Sequence, residues 1–278
     1  MKRFSILFFC LVFSFGTSAQ ELKLKKRKTN ALTGSQFIKQ IADTSISLSD
    51  REEMIWNEVK NGNIPSFLRK LKPLEINKVI NTINYKLIIY TITDYLSIGT
   101  DTDYLYMPTT PMLAQRIATL THTLLPTKSM VDEIYQQAVT KLEPQPIPPT
   151  KAMTTVPVFA VHNQIVLKQL QALGSNYKQG NLTAGNKKDI IISNKIYGQP
   201  TPRVVIYGWH KLDGKAIQPV YNKHINTWAD YSHGVRLVSD TGYLNGKKIK
   251  LIDILKDPTL HKLLSDEGVI PLAKYPLD

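Results

Sequence analysis

The segment INTWADYSHGVRLVSD, residues 225–240, concentrates side chains that can do chemistry directly before an apolar run. It contains Asp230, Ser232, His233 and Arg236. An imidazole transfers protons, a carboxylate orients it, and a serine hydroxyl attacks a carbonyl when a base lies within hydrogen-bond reach. The same spacing also suits a polar turn that leads into a strand, so a site here requires partners from other loops.

Histidines from separate segments are the candidate bases. His210 ends the predicted strand RVVIYGW, and His224 lies in YNKHINTW. Neighbouring residues of a strand point to opposite faces, so Ser232 needs a base other than His233. We therefore expect at least two of these imidazoles to share one centre. The predicted catalytic residues are His233, His224, His210, Asp230 and Ser232.

Polar side chains at predicted strand ends are the candidate substrate contacts, because loops on a rigid scaffold commonly carry binding residues. The guanidinium of Arg236 offers two parallel hydrogen bonds to a carboxylate or phosphate, unless it is paired within the core. Asp189 either orients the base or pairs with a neighbouring lysine. The predicted substrate-binding residues are Arg236, Tyr231, Lys188, Asp189 and His162.

Metal ligation is the alternative chemistry. His210, His224 and His233 would suit a catalytic zinc ion that keeps one position open. The seven-residue step from His233 to Asp240, together with the pair Trp209-His210, is similar to zinc-type peptidoglycan D,D-carboxypeptidases, with the order of the two features reversed. The sequence contains no His-Glu-x-x-His motif, nucleotide-binding glycine loop or calcium-loop spacing. We expect no cofactor, with a zinc ion held by the three histidines as the alternative.

Several longer motifs resemble a family of secreted bacterial proteins of unassigned function. They are DYSHGVRLV, GNKKDIIISNK, RVVIYGWH, DYLSIGTDTDYLYMP, LPTKSMVDEIY and TTVPVFAVHNQ. The resemblance covers nearly the whole mature chain, so it implies a single unit. It supplies no reaction.

The run SHGVRL is similar to the active-site loop of L,D-transpeptidases, in which Ser-His-Gly is followed by the nucleophilic cysteine, an aliphatic residue and an arginine. Ser232, His233 and Gly234 match that loop, but Val235 stands where the cysteine belongs and Arg236 comes one position early. The resemblance implies a cell-wall substrate. Thioester chemistry is excluded if the mature chain has no thiol.

The N-terminus MKRFSILFFCLVFSFGTSAQ has the order of a secretory signal. Lys2 and Arg3 precede an apolar stretch, and small residues follow up to Ala19. We expect a signal peptide at 1–19 and a secreted or periplasmic protein. Cys10 is the single cysteine and would leave with the signal, so stability must come from an ordinary core rather than from disulfides.

The formal net charge is +13, and ELKLKKRK places several cations directly after the predicted signal. We expect residues 20–33 to be a flexible basic tail that is dispensable for folding. The charge favours an anionic cell-envelope polymer, or its fragments, as partner. Nucleic acid is not expected, because no basic helix with interleaved aromatics is present. The mature chain is expected to contain no transmembrane segment.

Periodicity predicts an α+β fold, because helices and strands do not alternate regularly. We expect a helical N-terminal half packed against a mixed or antiparallel sheet formed largely by the C-terminal half. One domain would span 34–278, with a helix-rich part at 34–143 and a β-rich, site-bearing part at 151–278. Between them, KLEPQPIPPT at 141–150 holds four prolines in ten residues and predicts an extended connector.

These features predict an exported hydrolase or transferase that acts on a cell-envelope glycan or peptide through a His/Asp polar site. The alternative is a noncatalytic periplasmic or secreted protein that binds an anionic envelope polymer. An enzyme requires histidines and an aspartate around one site, whereas a binding protein requires only a lysine-lined groove.

Overall fold

The computed structural model describes residues 20–277, and the predicted signal peptide lies outside this range. The helices are α1 Gly34–Ile41, α2 Leu48–Lys60, α3 Pro111–Leu120, α4 Lys128–Gln137, α5 Val156–Ala172 and α6 Leu251–Lys256. The first strands are β1 Lys72–Ile80, β2 Ile83–Thr91, β3 Ser97–Gly99, β4 Tyr104–Tyr106, β5 Thr123–Leu124, β6 Thr140–Lys141 and β7 Thr183–Ala184. The remaining strands are β8 Lys188–Ile190, β9 Ile206–His210, β10 Ala216–Tyr221, β11 His233–Gly234, β12 Val238–Ser239, β13 Thr241–Leu244 and β14 Lys247–Lys250. The α+β prediction is confirmed.

Local sequence sets the helix starts. The side chains of Ser47, Thr110 and Thr127 accept hydrogen bonds from the first turns of α2, α3 and α4. Pro111 follows Thr110 at the first helical position, where its missing N–H costs no hydrogen bond. In the described part of the chain, no helix is both long and apolar enough to cross a membrane.

The larger sheet is built on the hairpin of β1 and β2. Asn81 and Thr82 form its two-residue turn with φ of 49° and 67°, a backbone that matches the twist of paired strands. Strands β12, β13 and β14 and the short β5 extend this sheet in the order β14-β13-β2-β12-β5, with β1 on β2. The two longest strands therefore lie in the N-terminal half.

The smaller sheet positions the candidate site. Its order is β10-β9-β8-β11, and β8 and β11 are parallel while the other pairs are antiparallel. Lys188 pairs with His233 on one side and with Gly208 on the other. The sheet thus places three sequence-distant segments in one row.

The basic segment after residue 20 is packed against the domain, unlike the expected flexible tail. Leu22 is 5% exposed, and its N–H donates to the carbonyl of Arg69. The N–H of Leu71 donates to the carbonyl of Gln20, and Arg27 donates to the side chain of Asn63. Leucine and lysine alternate in ELKLK, so the leucines face the core while the lysines face solvent.

We expect Leu22→Ala to lower the free energy of unfolding by about 2–3 kcal/mol, because it removes a buried side chain from a packed edge. Lys23→Ala, at an exposed neighbouring position, should change it by less than about 0.5 kcal/mol. Urea unfolding of both variants measures the difference. Equal stability of Leu22→Ala and the unmodified protein would restore the flexible-tail prediction.

Candidate functional site

His233 lies at the start of β11 and is 1% exposed. Within the part of the chain that the structure describes, neither of its ring nitrogens has a hydrogen-bond partner. The Nε2 atom stands 3.8 Å from Oδ2 of Asp230, too far for a direct hydrogen bond but close enough for electrostatic coupling. Burial lowers the pKa of His233 to about 4, so the imidazole is neutral near pH 7 and can accept a proton.

Asp230 is fixed by donors from its own loop. Its carboxylate accepts hydrogen bonds from the N–H and hydroxyl of Ser232 and from Nε1 of Trp228 at 3.2 Å. Burial raises the pKa of Asp230, but His233, Lys188 and these hydrogen bonds outweigh burial and hold the pKa below its usual value. Asp230 is therefore an ionised carboxylate with its position set beside His233.

Ser232 does not face a base in this arrangement. It is fully buried, and its hydroxyl donates to the carboxylate of Asp230. A hydroxyl bound in this way shapes the loop rather than attacking a substrate. The expectation that Ser232 acts as a nucleophile gains no geometric support.

Two lysines lie beside Asp230 and His233. Lys188 is half-buried, its Nζ lies 4.9 Å from the centre of the Trp209 ring, and burial lowers its pKa. Lys187 is 1% exposed, with Nζ 2.6 Å from the carbonyl oxygen of Tyr231 and 3.0 Å from Nδ1 of His162. Burial lowers the pKa of Lys187 to about 7. No sequence pattern distinguishes the roles of these two adjacent lysines.

His162 on α5, Trp209 on β9 and Tyr231 form an aromatic cluster beside the two lysines. Their ring centres are 4.9–6.3 Å apart. His162 Nε2 and Trp209 Nε1 are buried and have no hydrogen-bond partner among the described residues. Burial and the charge of Lys187 lower the pKa of His162 to about 2, so this ring is also neutral. Four orphaned polar atoms therefore belong to this cluster when the two nitrogens of His233 are included.

The backbone of Trp209 is strained. Its φ is 57°, in the left-handed region that costs a bulky residue about 1–3 kcal/mol. Trp209 contacts His162 and Lys188, whereas the next residue, His210, turns to the opposite face of the strand. Strain of this kind persists only where surrounding contacts enforce it, and it is frequent at functional sites.

His224 stands at the rim of the cluster. It is half-buried and stacks on Trp228 with ring centres 4.7 Å apart and planes 8° from parallel. Burial lowers its pKa. The Trp228 ring on which His224 stacks donates to Asp230, and His233 lies beside the same carboxylate. The structure therefore brings two of the three expected histidines together.

His210 belongs to a second polar cluster. Its Nε2 is 3.2 Å from Oδ1 of Asp132 on α4, and its ring stacks on Tyr135 at 4.5 Å. Tyr207 donates to the same oxygen of Asp132. The shared zinc ion proposed for His210, His224 and His233 does not fit this geometry, because His210 faces away from the other two. Across residues 20–277, no group of three or more His, Cys, Asp or Glu side chains is arranged to hold a metal ion.

Arg236 and Asp189, expected to bind substrate, lie in the core. Arg236 is fully buried, donates to the carbonyls of Thr183 at 2.8 Å and Ile92 at 3.4 Å, and lies 4.0 Å from Asp189. Tyr95 donates to Asp189 at 2.7 Å. Because Arg236 donates to core carbonyls and Asp189 accepts from Tyr95, both charged side chains are engaged within the core, and their role is structural.

The proline-rich connector covers the aromatic cluster. The hydroxyl of Tyr231 accepts a hydrogen bond from the N–H of Ile147 at 2.7 Å and donates to its carbonyl at 3.1 Å. Tyr231 and His162 are therefore enclosed, while Lys188, His224 and Trp228 are half-buried at the opening. The sequence predicted an extended connector but not the surface that it covers.

Known proteins offer no guide to this cluster. Comparison with family models, curated proteins and solved structures gives no match. The family resemblance and the likeness of SHGVRL to a transpeptidase loop therefore stay predictions.

Lys187 should make the free energy of unfolding depend on pH in the alkaline range. Its pKa falls from 10.5 in the unfolded chain to about 7 in the folded protein, so between these values the unfolded chain binds more protons. Stability contributed through this group therefore rises as the pH increases from 7 towards 10. In urea unfolding, the difference between the unmodified protein and Lys187→Met should rise over this window. Lys168→Met, at an exposed position of α5, should show a constant difference. A flat difference for Lys187→Met would contradict the burial of a neutral amine.

Proposed function

We propose that this protein is an exported hydrolase or transferase that acts on a glycan or peptide of the cell envelope, with His233 as general base and then general acid. One observation carries the proposal: beside a fixed carboxylate, both nitrogens of a buried, neutral imidazole lack partners among residues 20–277. Buried polar groups nearly always have hydrogen-bond partners, so orphaned ones call for a ligand or water.

The cluster suits direct attack by water or an acceptor hydroxyl. His233 would take the proton of the nucleophile, whose oxygen forms a bond to the substrate carbonyl carbon. Asp230 would stabilise the imidazolium, and the ammonium of Lys188 would stabilise the negative oxygen. The imidazolium would then return the proton to the leaving group as the scissile bond breaks. No covalent intermediate on Ser232 is needed.

The chemistry favours an acyl bond over a glycosidic one. Most glycosidases flank the scissile bond with two carboxyl groups. In the described cluster, Asp230 is the carboxylate beside His233, and Asp189 is enclosed in the core with Arg236. We therefore propose a peptide bond, or an ester carried by an envelope glycan, as the bond attacked.

Export and substrate class rest on the sequence. The N-terminal signal pattern supports secretion or a periplasmic location. The net charge of +13 supports attraction to an anionic polymer.

A noncatalytic binding protein is the second candidate. The stacked pair of His224 and Trp228 and the ammonium of Lys188 over Trp209 form a half-exposed aromatic and cationic surface. Such a surface can hold an anionic sugar polymer without reacting with it.

Incubation of the mature protein with purified sacculi and with capsular polymer separates the candidates. Mass spectrometry should find fragments that have gained one water, or joined fragments if the acceptor is a hydroxyl. Co-sedimentation with intact polymer and no new fragments would favour the binding protein. Neither fragments nor binding would contradict both.

A further inference from the structure

A cavity of about 300 Å³ adjoins the candidate site. It opens between the loop after α1, the start of α2 and the start of α5. Trp228 and Ala229, the residues directly before Asp230, form part of its wall. Since Nε1 of Trp228 donates to Asp230, a molecule in the cavity would contact the ring that holds the catalytic carboxylate.

Arg51 supplies the charge of this cavity. Its guanidinium is half-buried, lies 5.7 Å from the centre of the Phe159 ring, and makes one long hydrogen bond of 3.5 Å to the carbonyl of Thr154. Burial lowers the pKa of Arg51, which reports the cost of removing the cation from water. Among residues 20–277 it forms no salt bridge.

The nearest acidic residues are engaged elsewhere. Glu52 accepts hydrogen bonds from the N–H and hydroxyl of Thr110, and Asp43 accepts one from the N–H of Ser45. Within the described residues, the remaining donors of Arg51 are therefore left for a bound group. A guanidinium of this kind matches a carboxylate, which it can bind through two parallel hydrogen bonds.

The rest of the wall fits a small, partly apolar group. Ile41, Leu48 and Val156 contribute apolar surface beside Arg51. The hydroxyl of Thr155 donates to the carbonyl of Ala152 instead of capping α5, so the positive end of that helix also faces this region. The volume lies at the lower end of the range for ligand sites.

We propose that this cavity binds the carboxylate end of the substrate, with Arg51 as the recognition residue and Trp228 as the link to Asp230. This inference rests on the proposed function, because it assigns a substrate group to the same site. In envelope polymers the carboxylate could belong to the end of a short peptide or to a sugar acid. Both share a carboxylate beside a small apolar group.

Tryptophan fluorescence tests the inference without turnover. The probes are acetyl-D-Ala-D-Ala, the same peptide with a C-terminal amide, and N-acetylmuramic acid. The free peptide acid or the sugar acid should bind and change the emission of Trp228, and the amide should bind at least about tenfold more weakly, as expected when a charge-assisted hydrogen bond is lost. Whichever acid binds identifies the source of the carboxylate.

Variants complete the test. Arg51→Gln should weaken binding of the acid by about tenfold or more, while Arg51→Lys should retain part of it. Arg116→Gln is the matched control, because Arg116 also lies over an aromatic ring, that of Trp56, but is paired with Glu53. Calorimetry on the same variants provides a readout independent of Trp228, and thermal unfolding verifies that each is folded.

Equal binding of acid and amide, no binding of either acid, or unchanged binding by a folded Arg51→Gln variant would overturn the inference. The proposed function has a separate test. Products from sacculi without carboxylate binding would remove the cavity assignment alone. Carboxylate binding without products would remove the hydrolase or transferase proposal and leave the cavity assignment standing.

Discussion

Replacing His233 with alanine should lower turnover on the envelope substrate by roughly two to four orders of magnitude while the protein stays folded. The reason is the loss of the proposed proton acceptor beside Asp230. Initial rates of product release, measured by mass spectrometry, give the effect. His122→Ala and His261→Ala change histidines outside the cluster and should leave the rate nearly unchanged.

A purely structural His233 would behave differently. A hydrogen-bonded core histidine costs about 1–3 kcal/mol of stability when removed, through the partner left unsatisfied. Both ring nitrogens lack partners in the described range 20–277, so alanine leaves no group there unsatisfied and the loss is one of packing. Turnover and thermal unfolding on the same variants separate the two roles. A stable His233→Ala variant with full activity would contradict the assignment of His233 to the site.

Arg236→Ala should lower the free energy of unfolding by about 3–5 kcal/mol, the usual cost of breaking a buried ion pair by removing one partner. The substitution removes the cation beside Asp189 and leaves that carboxylate in the core. Urea unfolding at pH 7 measures the loss. Arg116→Ala, which breaks a half-exposed pair with Glu53, should cost less than about 1 kcal/mol.

The loss at Arg236 should also depend on pH. Burial raises the pKa of Asp189 to about 6, even though the charge of Arg236 lowers it. Without Arg236, the pKa of Asp189 should be higher still. A protonated carboxyl needs no cation, so the penalty of Arg236→Ala should shrink as the pH falls from 7 towards 5. A penalty below about 1 kcal/mol at pH 7 would mean that water reaches this pair.

Local patterns in the sequence were sufficient for much of the fold. The run rich in Ile, Tyr, Thr and Val at 77–108 is typical of strands, and the structure forms part of β1 and all of β2, β3 and β4 there. Thr110 before Pro111 and Thr127 after Pro126 are typical of helix starts, and α3 and α4 begin directly after them. These features depend on neighbours in sequence, which is why they could be predicted.

The basic segment contains both a run of charges and an alternating pattern of leucine and lysine, and the two predict different structures. Five cations in ELKLKKRK predicted a flexible tail, but the alternation of Leu22 and Leu24 with lysines is a strand-like pattern. The bridge between Glu21 and Lys70 and the burial of Leu22 follow from that alternation. For this segment, the alternation of leucine and lysine indicates the structure better than the number of charges does.

The sequence was sufficient to choose the segment of the candidate site, but not to predict the contacts between its residues and distant parts of the chain. Asp230 and His233 were found because they are close in the chain. The pairing of Lys187 with His162, and of His210 with Asp132, joins residues 25 and 78 positions apart, which no local pattern encodes. The positive φ of Trp209 is likewise a consequence of packing around it.

The dependence of kcat/KM on pH tests the central claim, proton transfer by His233, most directly, because it reports the pKa of the essential base in the free enzyme. The account predicts activity that rises with a midpoint near the pKa of His233, about 4. Asp230→Asn should move this midpoint to lower pH, since the carboxylate raises the pKa of the imidazole against the larger effect of burial. A midpoint near the ordinary histidine value of 6.5, unmoved by Asp230→Asn, would contradict it.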